Sequence, residues 1–206
     1  MGILSSSVSL TRYRVVQDIA DDFWSEIPDL LKNHKFKDID QSADERSFGW
    51  TSFDDMLDTA WSSGSPQKGH YLVFALRLDT RRIPPAVMKK HYRLALDQAK
   101  QELEARGQKF ISRDQKKEIK ENVRLRLFAR MLPVPAVFDV IWDTADNIVY
   151  LGSTSAKVRE LFQDHFTSTF ELHLEPRTFY FQAAGDMDMQ QKKDLDDMEA
   201  AILVTQ

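Results

Sequence analysis

The sequence predicts an α+β fold with a mainly antiparallel sheet and packed helices, and three observations carry that prediction. Short runs rich in β-branched and aromatic residues, such as "HYLVFALRL", are bounded by turn signals. Between them lie longer stretches with apolar residues at helical spacing. Two of those stretches are consecutive, separated by Gly107 and Ser112, and make a projecting basic helical hairpin over residues 84–132.

In chain order, "SVSLTRYRVV" (7–16) alternates polar with β-branched or aromatic residues and suits a half-buried strand. Asp18 is placed to cap a helix carrying Ile19, Phe23, Ile27 and Leu30/Leu31 on one face. "RSFGWTSF" reads as a short strand or turn bent at Gly49, followed by a short helix over 54–61 and the loop "SSGSPQKG". "HYLVFALRL" is then the clearest buried strand. Pro84 and Pro85 sit where a helix starts, and Val87, His91 or Tyr92, Ala95, Ala99 and Leu103 share a face up to Arg106.

Ser112 caps a second helix reaching Met131. From Ser112 to Asn122 only Ile119 is apolar, whereas Val123, Leu125, Leu127, Phe128, Met131 and Leu132 form a broad apolar surface. The hairpin therefore has a base rooted in the core and a tip in solvent. Pro133 and Pro135 stop the helix. "AVFDVIWD", the turn "TADN" and "IVYLGS" read as a β-hairpin, 155–166 as an amphipathic helix through Val158, Leu161, Phe162 and His165, and "FELHLEP" as a last strand. The order is β-α-β-β-α-α-β-β-α-β. Residues 1–178 form one domain, and 179–206 an acidic, Met-rich helix or tail. Folded back over the hairpin, that tail would compete with DNA, which predicts tighter DNA binding on deletion of residues 182–206.

At 206 residues with 42% hydrophobic content, the chain can bury a core without staples. It has no cysteine, which excludes disulfides, thiolate metal sites and cysteine nucleophiles. No apolar run approaches the roughly 18 residues of a membrane span, and "MGILSSSVSLTRYR" lacks a basic region followed by a continuous apolar stretch. The expectation is a cytoplasmic protein without membrane contact.

The net charge of -4 conceals an asymmetry: residues 81–130 hold 15 Lys or Arg against 6 Asp or Glu. Such a field attracts phosphate even on an acidic protein. The candidate phosphate contacts are Lys89, Lys90, Arg93, Lys109, Arg113, Lys116, Lys117, Lys120 and Arg124. The competing reading is a solvated face in which Glu118 pairs with Asn122 and Glu121 with Arg124. No homeodomain, zinc-finger or RRM signature is present, so binding is expected to ignore base sequence.

"GHYLVFALRLDTRRIPPAVMKKHYRLAL", "KKEIKENVRLRLFARMLP" and "DVIWDTADNIVYLGSTSAKVRELF" with "FELHLEP" together resemble the RdgC family of recombination-associated proteins, from about Arg12 to Thr178. The elements that carry the resemblance are Gly49-Trp50, Ile83-Pro84 opening a helix, the charged helical pair ending in Leu132-Pro133, the Trp142-Asp143 strand, and Ser155-Ala156-Lys157 opening the next helix. The resemblance implies a homodimeric, ring-forming protein that binds DNA without sequence preference, associates with the nucleoid and restrains the recombinase RecA by occupying duplex. Some family labels add exonuclease. Family members continue past the position of Gln206 and use that region to close the ring, and an aromatic soon after Leu-Pro at a subunit contact. Here Phe138 is its nearest counterpart, at an altered spacing. Phe128 and Leu132 are the other candidate dimer contacts.

Two other classes compete. Asp54, Asp55, Asp58, Asp143 and Asp146 are the carboxylates a Mg²⁺-dependent nuclease would need, although their positions suit caps and turns. A module binding an acidic protein partner would also use the basic hairpin. His34, His70, His91, His165 and His173 lack ligand spacing, and neither G-x-S-x-G nor a P-loop is present, so no catalytic residue, metal or cofactor is expected. Trp24, Trp50, Trp61, Trp142 and Phe74 are assigned to packing rather than base stacking.

Overall fold

A computed structural model describes residues 3–42, 44–105, 107, 110–185 and 187–197. The strands are β1 (Thr11–Val15), β2 (Arg46–Ser52), β3 (Gln67–Lys68), β4 (Tyr71–Thr80), β5 (Val134–Asp143), β6 (Ile148–Leu151) and β7 (Leu174–Pro176). The helices are α1 (Phe23–Asn33), α2 (Pro85–Ala105), α3 (Arg113–Phe128), α4 (Ala156–Phe170), α5 (Phe179–Gly185) and α6 (Met189–Asp196). The strands form one sheet in the order β2-β4-β5-β6-β1-β7, with β3 beside β4. The fold is α+β, as the alternation of strand and helix signals predicts.

The chain makes two compact units, one of residues 1–35, 50–76 and 138–206, the other of 36–49 and 77–137. The boundary falls inside β2, β4 and β5. In the first unit, β1 pairs antiparallel with β6 (Tyr13 opposite Val149) and with β7 (Arg14 opposite Glu175). The predicted hairpin of β5 and β6 is present, with Trp142 opposite Val149. Its turn is tightened by the Asp143 carboxylate, which accepts the Ala145 amide at 3.0 Å.

An aromatic cluster makes this unit's core. Trp50, Phe74, Trp142, Phe162 and Phe166 are all fully buried. Trp50 meets Phe74 edge-on at 5.1 Å, and Trp142 lies 5.2 Å from both Trp24 and Phe166. Geometries of this kind add to the area buried. The Trp50 indole N–H donates to the Thr169 hydroxyl at 2.8 Å, which satisfies its one polar atom. Trp50, Trp142 and Phe74 therefore serve packing.

Three local expectations are overturned. Residues 54–61 form no helix: the Asp58 carboxylate accepts the amides of Ala60, Ser62 and Ser63 and the Ser63 hydroxyl, and Trp61 sits at φ 55°. Those donors compete with a helical turn and hold a loop, and they keep the Asp58 carboxyl well below the usual carboxylate range. Gly49 is not a bend but a buried position within β2. The α1 N-cap is Asp22 rather than Asp18, and it makes no side-chain capping bond.

In the second unit, Arg77 and Asp79 are buried together on β4, and the Arg77 guanidinium lies 4.1 Å from the Phe36 ring centre. Arg81, 7% exposed, donates to the backbone carbonyls of Ile39, Asp40 and Ser42 and lies over the Phe128 ring. A long side chain thus pins the turn at 39–42 by donating to three of its backbone carbonyls.

Candidate nucleic-acid interface

The predicted helical hairpin is α2 followed by α3. Ser112 caps α3 through a full capping box: its hydroxyl accepts the Gln115 amide at 3.1 Å, and the Gln115 side chain accepts the Ser112 amide at 2.9 Å. Ile111, Val123 and Leu127 are buried, and the Tyr92 hydroxyl donates across the hairpin to the Lys116 carbonyl at 3.4 Å. The expected base-and-tip division holds in α3, whose buried residues lie only in its second half. In α2, Val87, His91, Tyr92, Ala95, Ala99 and Leu103 are all half-buried and no residue is fully buried.

Charges on α3 are sorted by face. Arg113, Lys116, Lys117, Lys120 and Arg124 recur at i, i+3, i+4, i+7 and i+11, which places them on one stripe. At 1.5 Å rise per residue that stripe is roughly 16 Å long. Asp114, Glu118 and Glu121, at i, i+4 and i+7, occupy a different stripe. On α2, Lys89 and Arg93 are one turn apart, with Lys90 beside them.

All of Lys89, Lys90, Arg93, Arg113, Lys116, Lys117, Lys120 and Arg124 are exposed. Among the described residues, only Arg124 of these has a carboxylate within ion-pair distance. It reaches Glu121 at 3.1 Å and Glu45 at 2.6 Å, which hold its guanidinium more firmly charged. The pairing of Glu121 with Arg124 is thus realised, and among the described residues no carboxylate pairs with the other cations of the stripe. Lys109 lies outside the described residues.

At the dimer-contact candidates, Leu132 is 76% exposed, whereas Phe128 and Phe138 are half-buried, Phe128 beneath Arg81. One residue the sequence reading passed over is Phe110, between α2 and α3, which is 88% exposed. Its signal was the pair Phe110-Ile111, two apolar neighbours of which the hairpin buries one.

Of the candidate nuclease carboxylates, Asp55, Asp58 and Asp143 accept backbone amides in loops and turns. Asp58 is occupied as described, Asp55 accepts the Leu57 amide at 2.8 Å, and Asp143 holds its hairpin turn. Among the described residues no three His, Asp or Glu side chains come together as a metal-binding group. His165 lies against Trp50, ring centres 4.5 Å apart, and burial depresses its pKa to about 4. Among the described residues no helix is long and apolar enough to cross a membrane.

No curated protein matches the chain. A family model described as "Putative exonuclease, RdgC" matches residues 9–188, which include both units' strands, the basic hairpin and α4. With most of its length covered by that match, the chain belongs to the RdgC family.

Proposed function

We propose that this protein binds DNA without sequence preference through the cationic stripe of α3 and Lys89, Lys90 and Arg93 on α2. It acts as a homodimer that occupies DNA and so restrains RecA. The observation that carries the reading is the separation of cations from acids on α3, which leaves Arg113, Lys116, Lys117 and Lys120 exposed with no described carboxylate in ion-pair reach. A solvated face laced with local pairs would interleave the two signs instead. Lysines dominate the stripe, and a lysine is a point charge suited to phosphates rather than to base edges.

The test is fluorescence polarisation with random duplexes between 50 and 200 mM salt, conditions over which phosphate contacts lose affinity steeply. Each phosphate neutralised contributes about 0.9 to the slope of log affinity against log salt, so a four- to six-cation site gives a slope near -4 to -5. The triple variant Lys116→Glu, Lys117→Glu, Lys120→Glu abolishes binding and leaves the far-UV circular dichroism unchanged. A salt-independent affinity, or one confined to a single sequence, overturns the proposal. Mg²⁺-dependent release of nucleotides, lost on Asp54→Ala or Asp143→Ala, would establish the exonuclease of the family description in its place.

A further inference from the structure

Phe110 stands apart from the other aromatics among the described residues. It is 88% exposed, while the next most exposed aromatic among the described residues, Tyr180, is 43%. Single exposed apolar residues are common on proteins and need no explanation by themselves. Phe110 differs in position: it stands three residues before Arg113 and six before Lys116, at the connection between the two basic helices. Its neighbour Ile111 is only 9% exposed, so of two adjacent apolar residues the fold buries one and leaves the other in solvent. So exposed a ring contributes little to packing α2 against α3.

We propose that Phe110 is a base-stacking contact that directs the tip of the hairpin to unpaired bases. This rests on the DNA-binding reading above and refines it, from a surface that tracks phosphates to one that also senses whether bases are free. An exposed phenyl ring offers a flat apolar face to any base, irrespective of sequence, while Arg113, Lys116 and Lys117 neutralise the adjoining phosphates. Asp114 is the acidic group on the same turn and lies on the other stripe.

Magnitudes decide between an unpaired base and a wedge driven into duplex. One aromatic stacking on one base contributes enough to change affinity by about 5- to 150-fold. Unstacking a paired step costs a comparable amount, which cancels the gain on duplex. A single Phe without a second apolar wedge beside it therefore discriminates in favour of single strands, gaps and junctions.

The experiment measures the affinity of the full chain and of Phe110→Ala for a single-stranded 20-mer and its duplex, with 2-aminopurine at the centre of the single strand. Expected results are a loss of about 5-fold or more on the single strand, an unchanged duplex affinity, and a fluorescence change on binding that Phe110→Ala removes and Phe110→Trp keeps. Equal single-strand affinities for the two proteins overturn the stacking role, as does an equal loss on both substrates. Binding of neither DNA by the unaltered chain at 50 mM salt refutes the DNA-binding reading itself. Retention of duplex binding with no effect of Phe110→Ala refutes only this inference. Because Phe110 is exposed, the thermal midpoint of the variant stays within about 2 °C of the parent, consistent with surface substitutions.

Discussion

Arg77 and Asp79, two residues apart and therefore on the same face of β4, form a buried two-point ion pair with bonds of 2.8 and 2.7 Å. The side chains are 8% and 2% exposed. Removing Asp79 takes from the buried Arg77 its two-point partner and leaves it the weaker pull of Asp38 and Asp40, and breaking a buried pair typically costs about 3–5 kcal/mol. Asp79→Ala should lower the urea-unfolding free energy by that order. Replacing both residues with leucine should cost less than Asp79→Ala alone, because no buried charge that has lost its main partner remains. A double variant weaker than the single would contradict this account.

Stability should depend on pH through His165. Burial holds its folded pKa at about 4, below the ordinary 6.5, while hydrogen bonding to the His34 backbone opposes the shift. Between those values the unfolded chain binds a proton that the folded chain refuses. The contribution is thus complete above pH 6.5 and is lost as pH falls toward 4, amounting to roughly 2–3 kcal/mol. Urea midpoints at pH 7, 6, 5 and 4.5 should fall in the parent and fall less in His165→Gln. Asp58 has a depressed pKa, so its share is lost only below its ordinary 3.8, in a separate window.

Arg124 should matter less to DNA affinity than its place in the stripe implies, because Glu121 and Glu45 already engage it. Lys117→Ala should reduce the salt slope by about 0.9, and Arg124→Ala by clearly less. Freeing the guanidinium with Glu45→Gln and Glu121→Gln should tighten binding. Both pairs are exposed, so these changes should leave the thermal midpoint close to that of the parent. Equal slopes for Lys117→Ala and Arg124→Ala would refute the distinction.

Leu132, 76% exposed beyond the end of α3, is the accessible member of the candidate subunit contact. In a homodimer that buries it, Leu132→Glu should shift the light-scattering mass from two chains toward one, with an unchanged circular dichroism spectrum. An unaltered mass would place the contact elsewhere.

What the sequence disclosed, and what it hid, follows from the range of the interactions. The Ser112 capping box is readable because Ser and Gln three residues apart bond each other's backbone within one turn. The β5–β6 hairpin is readable for the same reason, since its turn residues are adjacent. Residues 54–61 misled because "DDMLDTAW" has tolerable helix spacing, and nothing local reveals that Asp58 gathers amides as far on as Ser63. Gly49 resembled a bend, yet it is a buried position within β2. The pairing of β1 with β6 and β7 joins segments more than 130 residues apart and has no local signature. At the candidate interface, the excess of cations was plain from composition. Its sorting by face needed the bounds of α3, and the exposure of Phe110 needed the hairpin's packing.

The lack of any fully buried residue in α2 has a consequence for dynamics. A helix of 21 residues held by its own backbone bonds and by half-buried contacts opens at a free energy well below that of the aromatic core. Its amide protons should exchange with solvent in a sub-global event that leaves Trp50 and Trp142 undisturbed. An anion bridging Lys89 or Arg93 to the α3 stripe would then stabilise this limb by mass action, and the polyanion becomes part of what keeps the hairpin folded.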